Sequence, residues 1–194
     1  MDLNTLFLET ARRLPDKPAL VWKFRRFTFR EVEDAARRVA GGLVERGIRP
    51  GDRVGVLLPN SPETIFAHLG IQLAGAIRVP VNAAYTAREA RHVVETTACA
   101  LTITDQARWS LAEEAMLGVA KPLPAPMDTV ADSRLPRHGA VRLSGRAATP
   151  GVSAARPCLG ADLLGAVPLG RLPVASTADP VSLICFTSGT SGKP

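Results

Sequence analysis

Gly51-Asp52-Arg53-Val54-Gly55-Val56-Leu57-Leu58-Pro59-Asn60-Ser61-Pro62-Glu63 decides the fold class. Val54 to Leu58 is an unbroken apolar run, the pattern of a strand buried on both faces. Arg49-Pro50-Gly51-Asp52 before it is turn chemistry, with proline presetting φ and glycine free to turn positive. Ser61-Pro62-Glu63 after it reads as a helix start: a hydroxyl cap, proline in the first turn, and an acid at the positive dipole end.

Working outward, the same alternation repeats. The helix opened at Ser61 runs to about Gly75, and Ile77–Val81 reads as the next strand. Thr86 and Glu89 form a capping box, hydroxyl to backbone and carboxylate back, that opens a helix to about Thr97. Ala100–Thr104 is again strand-like. Upstream, Thr28 and Glu31 form an equivalent box. The helix that follows carries Val32, Ala35, Ala36, Val39, Ala40 and Leu43 on one face, with Glu33, Asp34, Arg37 and Arg38 on the other. A first helix near Thr5–Leu14 ends at Pro15-Asp16-Lys17-Pro18 and leads to a strand at Ala19–Trp22. Helices between short apolar strands imply right-handed crossovers, hence an α/β fold with a mainly parallel sheet flanked by helices.

Three regions follow from composition. Residues 1–121 form the α/β unit. Residues 122–173 hold 8 of the 16 prolines and no Phe, Trp, Tyr or Lys. With neither helical nor strand period, that stretch reads as irregular, and a reading-frame slip would leave the same compositional break. Residues 174–194 return to a strand, Val181–Phe186, read as buried, followed by a polar loop.

The 194 residues are 46% hydrophobic and 22% charged, which excludes wholesale disorder and disulfide-scaffold classes. The net charge of +6 comes from 20 Arg and 4 Lys scattered among acids, and no Arg/Lys block alternating with exposed aromatics is read from it. No nucleic-acid partner is therefore expected. Cys99, Cys158 and Cys185 lack metal-ligand or disulfide spacing, so no metal site is expected; Cys99 and Cys185 read as small buried hydrophobes. Leu69 to Val81, the most apolar window, is broken by Gln72, Arg78 and Pro80 and is too short to span a bilayer. The start lacks a signal-peptide pattern, and the expected location is cytoplasmic.

The chemistry-bearing segment is Thr187-Ser188-Gly189-Thr190-Ser191-Gly192-Lys193-Pro194. Hydroxyls and glycines directly after a strand suit a phosphate cradle, in which backbone N–H groups turn inward. It is not a Walker A loop: Thr187 stands where the first glycine belongs, and Pro194 follows Lys193 where Ser or Thr is required.

Phe186 to Pro194 resembles the phosphate-loop signature of the AMP-forming adenylating enzymes: acyl-CoA synthetases, luciferases and peptide-synthetase adenylation domains. That loop runs aromatic-Thr-Ser-Gly-Thr/Ser-Thr-Gly-x-Pro-Lys-Gly. Ser191 takes the place of the commoner threonine, and Lys193 falls at the variable position. Phe27–Val32, Gly47–Val54, Leu58–Glu63 and Leu73–Asn82 are similar to four further landmarks of the family, in its order. The resemblance covers about Thr5 to Gln106 and Asp179 to Pro194.

The resemblance implies an incomplete N-terminal part of the family's large domain. The implied reaction is attack of a carboxylate on Mg-ATP to give an acyl-adenylate and pyrophosphate, then thioester formation with a thiol, usually coenzyme A. Thr187, Ser188, Gly189, Thr190, Ser191 and Gly192 are the implied ATP phosphate-binding residues; ATP, Mg2+ and coenzyme A are the implied cofactors, and a small carboxylic acid the substrate. No catalytic residue is expected within these residues, because the family's acyl pocket and C-terminal domain follow the loop, and the chain alone is expected to be inactive. A stand-alone ligase fits better than a peptide-synthetase module, because Met1 lies close to the first landmark; a non-catalytic remnant or interaction module is the alternative. Glu31 and Glu63 read as helix-start acids, His68 and His92 as solvated or core-edge histidines, and Trp22 and Trp109 as packing residues.

Overall fold

The computed structural model describes residues 3–116, 139–142, 163–170 and 181–186. The chain opens with α1 (Leu3–Arg13), followed by β1 (Pro18–Trp22) and β2 (Arg25–Thr28), then α2 (Phe29–Glu45) and β3 (Arg53–Leu57). Next come α3 (Pro62–Leu73), β4 (Ile77–Pro80), α4 (Ala87–Thr96), β5 (Leu101–Thr104) and α5 (Trp109–Met116). Further on, β6 (Gly139–Arg142) and a single 3-10 turn, η1 (Leu163–Gly165), both fall in the proline-rich stretch.

Four strands form a parallel sheet in the order β4-β3-β5-β6. The first crossover moves to one side of β3 and the second returns to the other, so successive helices cover opposite faces. On one face α2 and α3 bury Val39, Leu43, Phe66 and Ile71 against Val54, Val56, Leu101 and Ile103. On the other, α4 and α5 bury Val93, Val94, Ala112 and Ala115 against Leu57 and Val79. The α/β reading and its parallel sheet hold.

Both capping boxes form. The backbone N–H of Thr28 donates to Glu31 Oε2 at 2.7 Å while Glu31 N–H donates to Thr28 Oγ1 at 3.3 Å. Thr86 and Glu89 repeat the pattern at 2.8 and 3.4 Å. Ser61 departs from expectation. It occupies the cap position of α3, but its side chain accepts no capping hydrogen bond; Thr64 instead donates its hydroxyl to Pro59 O at 2.5 Å. The helix also stops at Leu73, because Gly75 adopts φ +74° against the ring of Pro50.

Several features depart from the sequence reading, β6 among them. β1 and β2 form an antiparallel hairpin with Trp22 opposite Arg25. Its turn, Lys23-Phe24, carries none of the Asn or Gly that advertise a two-residue turn, and Lys23 holds φ +52° instead. Residues 163–169 dock on α2: Leu163 is fully buried in the core, and Leu169 N–H donates to Arg37 O at 2.9 Å. The helix makes room with Gly41 and Gly42. A Cβ on Gly41 would collide with Val167 O, and one on Gly42 would lie 2.7 Å from Leu163 Cδ2.

A further difference concerns residues 181–186. They were expected as a buried strand, yet Leu183 makes only an isolated parallel bridge to Arg78 on the outer side of β4. Val181, Leu183 and Cys185 are exposed, because no further described strand flanks them. Cys99 is buried as expected, and Cys185 is not.

Candidate functional site

The implied phosphate-binding residues Thr187, Ser188, Gly189, Thr190, Ser191 and Gly192 lie outside the described residues. What is described is the segment that precedes them in sequence. Arg78 N–H donates to Ser182 O, and Ile184 N–H donates to Arg78 O, each at 3.0 Å. This pairing is parallel, so the chain from Leu183 to Phe186 travels toward the carboxyl ends of the strands. In open parallel sheets that edge is where ligands bind.

Side chains alternate across this segment. Ile184 and Phe186 pack on the Leu57, Val79 and Val81 side of the sheet. The Phe186 ring meets His92 of α4 edge-on, with centroids 6.4 Å apart. Cys185 falls to the opposite side, the side of Arg78.

Arg78 is half-buried, and burial lowers the pKa of its guanidinium. Its Nε is buried and finds no hydrogen-bond partner among the described residues. On the same side, His68 of α3 is pushed down to about 4, first by burial and second by the charge of Arg78. A histidine so depressed is neutral at pH 7 and serves as packing rather than as a proton donor. That agrees with its reading as a core-edge residue.

The second place of interest on the same edge is the switch point between β3 and β5, where successive crossovers depart in opposite directions. Its polar groups are mostly engaged internally. Thr104 donates its hydroxyl to Leu57 O at 3.2 Å, and Asp105 accepts from both the backbone N–H and the Nη1 of Arg108, at 2.9 and 2.6 Å. Arg108 Nε is buried without a partner among the described residues. Asn82, beyond β4, accepts the N–H of Ala84 at 3.0 Å and shapes the loop that leads to the α4 cap. Among the described residues no cluster of His, Cys, Asp and Glu is arranged to hold a metal ion. Glu31 and Glu63 sit in the first turns of α2 and α3 and serve as helix-start acids.

Among the described residues no helix is long and apolar enough to cross a membrane. One compositional reading needs correction: Trp22-Lys23-Phe24-Arg25-Arg26 does interleave basic residues with exposed aromatics, and Phe24 is fully exposed. The pattern is short and was masked by the scatter of arginine elsewhere.

The family described as AMP-binding enzyme matches residues 7–194. A long-chain-fatty-acid–CoA ligase of Bacillus subtilis is 33% identical over 102 residues, 53% of this chain and 18% of the ligase. Pyochelin synthetase PchE of Pseudomonas aeruginosa is 38% identical over 104 residues, 54% of this chain and 7% of the synthetase. The chain thus spans less than a fifth of the length of these curated relatives. Among solved structures, a benzoate CoA ligase from Burkholderia xenovorans LB400 superposes with a TM-score of 0.71 at 16% identity, over 94% of this chain and 32% of that one. The N-terminal subdomain of Klebsiella oxytoca NpsA, in complex with 3-hydroxybenzoyl-AMSN, gives 0.67 at 24% identity, over 99% and 39%. At these identities both share the fold with this chain.

Proposed function

We propose, because the chain belongs to the AMP-binding enzyme family, that it is the N-terminal part of an ATP-dependent acid–thiol ligase. The reaction would join a small carboxylic acid to the α-phosphate of ATP with release of pyrophosphate, then pass the acyl group to the thiol of coenzyme A with release of AMP. Thr187, Ser188, Thr190 and Ser191 would donate hydroxyl hydrogen bonds to the β- and γ-phosphates, while Gly189 and Gly192 allow the backbone to approach. Donors fixed before the reaction stabilise charge as it develops on the departing pyrophosphate. Mg2+ would accompany ATP, and no nucleic acid takes part. The proposed location is cytoplasmic.

The observation that carries this reading is the parallel bridge between Leu183 and Arg78. It runs Leu183 to Phe186 parallel to β4 toward the carboxyl edge of the sheet, and the Ser/Thr/Gly run follows Phe186 directly in sequence, which supports a phosphate-loop role.

The test is ATP–pyrophosphate exchange by the full-length protein, with a panel of fatty and aryl acids. Exchange above blank is expected, falling about tenfold or more in Thr187→Ala and Ser188→Ala. A folded protein that exchanges with no acid overturns the reading. A second reading, amino-acid activation in a peptide synthetase, is favoured by the 38% identity to PchE; exchange with amino acids and none with fatty or aryl acids would select it. The 194 residues alone are expected to give no exchange.

A further inference from the structure

The β1–β2 hairpin ends in Trp22-Lys23-Phe24-Arg25, and its tip combines three unusual properties. Phe24 is 106% exposed and Val21 61%, so an aromatic ring and a β-branched side chain stand in water together. Lys23 holds φ +52°, a conformation that costs a non-glycine residue and that Asn or Gly would adopt more cheaply. Between Asp16 and Glu31 every charged residue is basic: Lys17, Lys23, Arg25, Arg26 and Arg30. Arg30 is bound to Asp16 at 3.0 Å, and Arg25 lies over the Phe27 ring at 4.4 Å. Lys23 and Arg26 are exposed and form no ion pair among the described residues.

We propose that this hairpin tip is a docking point for an anionic phospholipid surface, with Phe24 and Val21 entering the interface and Lys23 and Arg26 held at the headgroups. Charge complementarity selects the occupant: exposed apolar side chains beside uncompensated cations match a negatively charged leaflet. Shape selects it over nucleic acid. Base stacking uses aromatic platforms lining a groove, whereas Phe24 projects from a convex turn.

The test is sedimentation of the 194-residue chain with vesicles of mixed phosphatidylglycerol and phosphatidylcholine, and with vesicles of phosphatidylcholine alone. Association with the mixed vesicles, weakening as salt rises, is expected, and none with the neutral ones. Phe24→Ser should weaken it about tenfold, and Lys23→Gln and Arg26→Gln about fivefold each. Phe24 is fully exposed, so an unchanged thermal midpoint in Phe24→Ser separates lost docking from lost folding. Absence of vesicle binding at low salt, or Phe24→Ser binding like the parent, overturns the proposal. So does Phe24-dependent binding of a single-stranded oligonucleotide without vesicle binding, which would assign the tip to nucleic acid.

Discussion

Thr28 and Glu31 satisfy each other's backbone neighbours at the start of α2, and the hydrogen bonds from Thr28 lower the pKa of the Glu31 carboxyl below its ordinary 4.5. A carboxyl depressed by folding contributes stability that is present above the unfolded value and lost as pH falls through the folded one. Glu31→Gln should therefore flatten the pH dependence of the urea midpoint below about pH 4.5, and Thr28→Ala should cost about 1 kcal/mol near neutrality. His68 works in the same direction for the opposite reason. Burial disfavours its charged form, so the folded state resists protonation and stability falls as pH drops from 6.5 toward 4. His68→Gln should remove that slope in thermal melts between those values. Gly70 is the residue where α3 meets α2: a Cβ there would lie 2.5 Å from Val39 Cβ and 2.8 Å from Ala36 O. Gly70→Ala should destabilise by about 2 kcal/mol in urea titration, because backbone and a β-branched side chain cannot move aside freely. The capping pairs were legible because their partners are three residues apart; the need for Gly70 was not, because its neighbour is on another helix.

At the scale of elements, α2 shows how far a local pattern reaches. Of its apolar stripe, Val32, Ala36, Val39, Ala40 and Leu43 are buried and Ala35 is partly buried against the same core. Its polar face was read without its second partner. Arg37 pairs with Glu33 at 2.8 Å and also donates through Nη1 to Leu169 O at 2.9 Å, while Arg38 donates to Ala166 O at 3.3 Å. The Gly41-Gly42 pair is the trace of that docking. Glycine in a helix interior costs about 1 kcal/mol relative to alanine, a cost that close approach of another backbone explains. Gly41→Leu should expel residues 163–169 while α2 survives, seen as new protease cleavage near Leu163 with little change in helical circular dichroism. The β1–β2 hairpin escaped a reading based on turn residues, since Lys23-Phe24 carries no turn signal. β6 escaped because Gly139-Ala140-Val141-Arg142 carries a single β-branched residue, unlike the equally short β4 and β5.

Across the whole molecule, the order β4-β3-β5-β6 puts α3 and α4 on opposite faces and leaves β4 as the strand to which residues 181–186 attach. Among the described residues its backbone attachment is two hydrogen bonds around Arg78, beside the packing of Ile184 and Phe186 on the core. Amides of 181–186 should exchange with deuterium much faster than those of β3 and β5. Ile184→Pro, which removes one of the two donors, should abolish the protection of this segment without unfolding the rest.

The sequence by itself determined the alternation of helices and strands, the parallel character of the sheet, both capping boxes and the membership that the ordered landmarks announced. These are written in spacings of a few residues, where one side chain acts on backbone close to it. Only the tertiary structure decided that the Ser61 side chain caps nothing, that Cys185 is exposed, that residues 163–169 occupy the back of α2, and that Phe24 stands in water beside Lys23 and Arg26, which form no ion pair among the described residues. Each of those depends on what arrives from a distant part of the chain, and burial or exposure is a property of the pair that meets, not of either residue alone.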